Sequence, residues 1–175
     1  MTAEQNCSVV QRFVEELWNQ RKLTVAHEIF SPDCITHQLQ SGSALTSAPR
    51  DPETIKIHVS EWLKAFPDLH FSIEQIFAQD DRVVSQLLMQ GTHSGPWSGI
   101  KPTNKQVSIR MITIHRIDAG MIMEDWVLVE SMGFFQQLGI IPATTDLLAR
   151  AGAYAVKPES AELHNRRQLG GTERI

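Results

Sequence analysis

The chain has 175 residues, 42% hydrophobic and 21% charged, a balance that supports one globular domain with a real core and a short tail. Its net charge of −4 and pI near 6.0 make it mildly acidic. The densest basic patch is Arg166-Arg167, so the clustered basic face of a nucleic-acid binder is excluded.

In chain order, Met1 to Asn6 has neither the basic region nor the apolar region of a signal peptide. No apolar run approaches the roughly 20 residues that span a bilayer, and a soluble, cytoplasmic protein is expected. From Glu4 to Asn19, Val9, Val10, Phe13, Val14, Leu17 and Trp18 recur at spacings of three and four, which predicts an amphipathic helix. A short second helix is expected over Leu23 to Phe30. Ser31-Pro32-Asp33 then leads into a brief strand at Cys34 to His37. Ser41 to Pro52 lacks periodicity and reads as a mobile loop. Asp51-Pro52-Glu53 starts a third helix, an N-cap acid followed by proline at the first helical position, which carries Ile55, Val59, Trp62 and Leu63 as far as Phe66-Pro67-Asp68.

Strands dominate the chain from there to Glu130: Leu69 to Ala78, then Arg82 to His93 after a turn at Asp80-Asp81. Gly91 to Lys105 forms a long hairpin loop. Val107 to Ile117 and Met121 to Glu130 are joined by Asp118-Ala119-Gly120. Phe134 to Leu138 predicts a helical turn and Thr144 to Ala155 a helix, while Lys157 to Ile175 is a loose polar tail. The expected division is a cone domain over residues 1–142 and an extension over residues 143–175. Helices first and antiparallel strands after them are the mark of an α+β fold, a curved sheet wrapped around N-terminal helices.

Several stretches in this order resemble the SnoaL-like family of polyketide (ester) cyclases: Ala65-Phe66-Pro67-Asp68-Leu69, Gly91-Thr92-His93-Ser94-Gly95, Gly99-Ile100-Lys101-Pro102-Thr103-Asn104-Lys105, Glu124-Asp125-Trp126 and Gln136-Gln137-Leu138-Gly139. The likeness spans about Gln5 to Gly139. It implies the cone-shaped α+β barrel of nuclear transport factor 2, a cofactor-free pocket, and a homodimer or higher homo-oligomer. Family founders close a ring by intramolecular aldol condensation, with a late-strand carboxylate as acid/base. Four positions depart from the family pattern. Asp118-Ala119-Gly120-Met121 replaces Asp-Gly-Lys-Ile, and Asn104 replaces glycine in the Pro-Thr-Gly-Lys turn. Asp125 replaces the histidine of Glu-His-Trp, and Glu130 stands where the family carboxylate is an aspartate.

Period two puts Glu124, Trp126, Leu128 and Glu130 on one face of the last strand, with Val127 and Val129 on the other beside Asp125. Two acids and a tryptophan suit a pocket wall better than a core, which makes Glu130 the candidate base, its pKa raised by burial. The alternative is that Glu130 ends the strand facing solvent or an arginine. Glu124 is a candidate for the pocket or a structural partner at the strand's start. Of the histidines, His37 ranks first as a second catalytic group, then His115, whose side depends on the turn, then His93 at the mouth of the hairpin. For each one alone, a satisfied structural histidine is the better bet. Among the aromatics Phe13, Trp18, Trp62, Phe66, Trp97 and Trp126, most are core. Trp126 and Trp97 lead as substrate contacts, with Trp18 and Trp62 behind them.

Neither HxH nor HExxH spacing occurs, and neither Cys7 nor Cys34 belongs to a CxxC pair, so no metal and no disulfide framework is expected. No Gly-x-Ser-x-Gly nucleophile and no phosphate-binding glycine pattern is present. The expected function is cofactor-free acid/base catalysis on a small hydrophobic carbonyl compound: ring closure, isomerisation or dehydration. The alternatives are a non-catalytic domain that binds a hydrophobic small molecule, and a dimeric interaction scaffold with a filled cone.

Overall fold

The amphipathic N-terminal segment folds as the 3.6-residue period predicts, and then widens. In the computed structural model, which describes residues 2–38 and 47–152, helix α1 spans Ala3–Arg12 and opens on a capping box between Thr2 and Gln5. It continues as a wider π turn over Phe13–Asn19, where Gln20 N–H donates to the Glu15 carbonyl at 2.9 Å. The extra residue per turn brings Phe13, Val14, Leu17 and Trp18 into the interior together. The second helical segment covers nearly the expected span, as a 3₁₀ turn at Leu23–Val25 followed by α2 at Ala26–Ile29. Strand β1 already begins at Phe30 and runs to Gln38. Pro32 is accommodated because the pairing of β1 with its neighbour shifts register between Phe30 and Ile35.

Part of the segment expected to be a loop is structured. Ser47–Pro49 forms β2, antiparallel to β1; residues 41–46 lie outside the described residues. Helix α3, Pro52–Ala65, starts where the N-cap signal puts it, with Asp51 Oδ1 accepting from the N–H groups of Glu53 at 2.9 Å and Thr54 at 3.1 Å. Four longer strands follow: β3 His70–Gln79, β4 Arg82–Thr92, β5 Gln106–Asp118 and β6 Met121–Val129. Helix α4, Ser131–Leu138, is longer than the single turn expected, and ends on Gly139 at φ 74°, a left-handed cap that favours glycine.

The six strands form one curved sheet in the order β2-β1-β6-β5-β4-β3. It is an open α+β sheet over N-terminal helices, and it is antiparallel except at one seam. There β1 runs parallel to β6, because the whole β3–β5 meander lies between them in the chain. Alternation along β4 and β5 turns Val83, Leu87, Met89, Val107 and Ile109 inward, where they pack with the buried side of α1 and its π turn. Two inward hydroxyls, on Ser85 and Thr113, satisfy each other at 2.6 Å.

The chain divides into two units, one ending at Ile141 and one beginning at Pro142. In the second, α5 spans Thr144–Ala151 and buries none of its residues. The expected helical continuation to Ala155 and the polar tail from Lys157 lie outside the described residues. Among the described residues no helix is long and apolar enough to cross a membrane.

Candidate functional site

Between the concave face of the sheet and the helices lies a cavity of about 420 Å³. Its apolar wall is built by periodicity. The π turn supplies Phe13 and Trp18, α3 supplies Ile55 and Trp62, and the inward rows of β4 to β6 supply Leu87, Met89, Met111, Val127 and Val129. Trp62 and Trp97 meet at 5.2 Å between ring centroids, and Trp97 stands edge-on to Phe134 at 5.3 Å and 89°. The lining residues Glu61 and Ser98 are exposed, so the cavity reaches solvent beside this aromatic group.

Buried polar groups line the same cavity. Asp125 on β6 and His115 on β5 are cross-strand partners, both buried and both lining the cavity. Neither ring nitrogen of His115 has a hydrogen-bond partner, and neither does Asp125 Oδ1. Burial holds the His115 ring neutral, lowering its pKa against the opposing pull of Asp125. His58 lines the cavity from α3, with its pKa pushed down to about 4 by burial and then by the charge of Arg50. Arg50, between β2 and α3, is buried against the same space. Its backbone N–H donates to the Cys34 carbonyl at 2.7 Å, which pins the β2–α3 junction to β1. The Cys34 thiol is pushed up to about 12 by burial and by Asp125, so it stays protonated and is no nucleophile at neutral pH. A largely apolar cavity with a carboxylate, two neutral imidazoles and a guanidinium can polarise a carbonyl and move a proton.

A model of the SnoaL-like polyketide cyclase family matches residues 8–138. The chain belongs to the SnoaL-like polyketide cyclase family. Solved structures agree in fold. AclR of Streptomyces galilaeus, a candidate hydroxylase, is 21% identical at a TM-score of 0.71, over 99% of this chain and 100% of that one. A candidate SnoaL-like polyketide cyclase from Jannaschia sp. CCS1 is 20% identical at 0.70, over 80% and 95%. IdmH of Streptomyces antibioticus, a candidate polyketide cyclase, is 25% identical at 0.67, over 77% and 99%. No curated relative matches the sequence.

On this SnoaL-like frame the expected site residues separate. His115, Trp18, Trp62 and Trp97 line the cavity. Glu124, Trp126 and Leu128 do share a face of β6, but it is the outer face of the sheet. The cavity meets the other one, Asp125, Val127 and Val129. The reason is a bulge: Arg116 faces Glu124 while Ile117 faces Ile122, leaving Met123 as an extra residue. Ile122 and Asp125 therefore both point inward, three positions apart. On the outer face His37 stacks on Trp126 at 4.9 Å and meets Glu124 Oε2 at 3.3 Å. Arg116 donates to Glu124 at 2.7 Å, lowering the Glu124 pKa, and the Arg82 guanidinium lies 4.6 Å from the Trp126 ring.

Glu130 is exposed, at the N-cap of α4, and its carboxylate folds over Gly133 rather than into the cavity. His93 is fully buried but outside the cavity wall, stacked on Phe66 at 5.1 Å, with Nδ1 accepting from Thr103 N–H at 3.3 Å. That hydrogen bond anchors the hairpin loop.

Sequence reasoning missed Arg50, His58 and Asp125. For His58 the signal was spacing, since it lies three residues after Ile55 and four before Trp62, on the apolar stripe of α3. For Asp125 it was a lone acid on a strand face otherwise made of Val127 and Val129. Arg50, in a polar stretch with no period, left no signal. Among the described residues no three His, Cys, Asp or Glu side chains cluster as metal ligands would.

Proposed function

We propose that this SnoaL-like protein performs acid/base chemistry on a small hydrophobic carbonyl compound inside the cavity, with Asp125 as the base. One observation carries the reading: a carboxylate with an unpartnered oxygen and a neutral imidazole with two unpartnered nitrogens, both buried in an aromatic-lined cavity. Buried polar groups are normally satisfied, and the protein supplies no partner for these atoms, which keeps them open to hydrogen bonds from a bound molecule. Asp125 takes an α-proton from the substrate, and the neutral ring of His115 or His58 donates its N–H to the enolate oxygen. In ring closure the enolate carbon attacks a second carbonyl of the same molecule, and the new alkoxide recovers the proton from Asp125. Isomerisation and dehydration use the same first step. None of these steps calls on a cofactor.

The test is deuterium exchange from D₂O into the α-position of 2-tetralone, an acidic bicyclic ketone, followed by proton NMR. The wild type accelerates exchange, Asp125→Asn removes the acceleration, and Glu130→Gln keeps it. Loss in Glu130→Gln but not in Asp125→Asn returns the base to the family position. No exchange by the wild type, with a ligand-dependent rise in Tm, makes the domain a binder of hydrophobic small molecules instead.

The same reading includes a homodimer through the outer face of the sheet. Ile35, Ile112 and Leu128 are exposed there around Trp126, an apolar surface that a second copy would cover.

A further inference from the structure

Aromatic walls bind neutral rings without a cation, and keeping a guanidinium in such a cavity is costly unless something pairs with it. Arg50 is only 9% exposed, and its Nε has no hydrogen-bond partner. Among the described residues, none of the ion pairs involves its guanidinium. Its charge nevertheless acts within the cavity, because it is one of the two causes that hold His58 neutral. Asp125 attracts Arg50 across space without meeting it as an ion pair. The two charges come from different elements, the β2–α3 junction and β6.

That separation leaves the guanidinium's donors for a ligand. A planar fork of N–H groups fits an oxyanion far better than a ketone oxygen, since charge-assisted hydrogen bonds are about twice as strong as neutral ones. The neutral ring of His58 beside it can donate one more hydrogen bond without adding charge.

We propose that Arg50 makes this cavity selective for ring-bearing hydrophobic ligands that carry an acidic oxygen: a carboxylate, or an ionised enol or phenol. The inference rests on the proposed reading only in placing the ligand in this cavity. It narrows the substrate class from hydrophobic carbonyl compounds to those that are anionic near neutral pH. With the acidic oxygen held at Arg50, the remainder of the ring system lies against Trp62, Trp97 and Phe134.

The test is isothermal titration calorimetry of the full chain at pH 7 with 2-naphthoate and its uncharged counterpart, methyl 2-naphthoate. The wild type is expected to bind the carboxylate about 10- to 100-fold more tightly than the ester. Arg50→Met brings the ratio close to one, and Arg50→Lys retains part of the preference. Near-ultraviolet circular dichroism and Tm establish that each variant is folded. A ratio near one in the wild type, a preference unchanged in Arg50→Met, or no binding of the carboxylate overturns the proposal. Neither probe has an exchangeable α-proton, so the outcome is independent of catalysis. A carboxylate preference without tetralone exchange removes the enzyme and leaves the Arg50 role standing. Exchange without the preference does the reverse.

Discussion

Replacing His58 with phenylalanine tests the electrostatics of the cavity through folding alone. The ring sits 6.0 Å from Trp18 and 6.3 Å from Trp62, contacts that phenylalanine can keep. In the folded chain His58 titrates at about 4 against an ordinary 6.5. The unfolded chain therefore binds the extra proton below pH 6.5. Stability from the neutral ring is fully present above that pH and is lost as pH falls toward 4. Between pH 7 and pH 5 this amounts to at most about 2 kcal/mol, and about 1–2 kcal/mol once the ring's residual exposure is allowed for. His93 and His115 are also held neutral by burial and push in the same direction. The carboxylates of Asp51, Asp68 and Glu124 have lowered pKa values and lose stability at still lower pH. All of these remain in the variant, so the difference between wild type and His58→Phe isolates one ring. Urea unfolding followed by far-ultraviolet circular dichroism at both pH values gives that difference. Wild type should lose about 1–2 kcal/mol more than the variant; equal losses would refute the assignment of His58 as a desolvated neutral group.

Two glycines should respond oppositely to alanine. At Gly95 a Cβ would collide with the backbone carbonyl of Lys64, at the end of α3 where Ala65 O accepts from Gly95 N–H at 3.0 Å. Neither stretch of backbone can swing away, and Gly95→Ala should cost about 3 kcal/mol in urea unfolding. At Gly133 the Cβ meets only the far end of the Glu130 side chain. Gly133→Ala should be neutral, or stabilising by up to about 1 kcal/mol, because alanine favours the helix. Leu128→Glu places a charge in the exposed apolar face and should convert a dimer to a monomer in light scattering behind size exclusion, without change in tetralone exchange.

The helices were legible because their apolar residues repeat at a helical period and their starts carry caps. Asp51-Pro52 marked the start of α3 to the residue. The widening of α1 at Phe13 was not, since a π turn and an α turn draw on the same residue types. The succession of β3 to β6 along the chain was legible, but neither β2 nor the parallel seam between β1 and β6, which depends on a crossover of about 80 residues rather than on any local pattern. The site was half legible for the same reason. Trp18 and Trp62 follow from helical periodicity, while the side of His115 is settled only by its pairing with Asp125 across the β5–β6 hairpin. The inward phase of β6 depends on the bulge at Met123, which shifts every side chain beyond it relative to Ile122.

Two of the chain's departures from the family pattern lie on and just after β6. The acid expected at the end of the late strand is here a glutamate whose longer side chain lies outside, over Gly133. The inward position five residues earlier, where the resemblance has a histidine, holds Asp125. Under the proposed reading these changes are one exchange, because a carboxylate already buried opposite His115 relieves the strand end of that task. A second buried acid would also raise the cost of keeping both ionised. The consequence concerns reach rather than chemistry. A base at Asp125 is buried in the cavity wall, whereas the exposed lining residues Glu61 and Ser98 mark the opening. A substrate must then enter with its acidic C–H group leading and leave its bulk among the tryptophans. Ligands extended at the end remote from the carbonyl should be accepted, and ligands branched next to the reacting carbon should be refused.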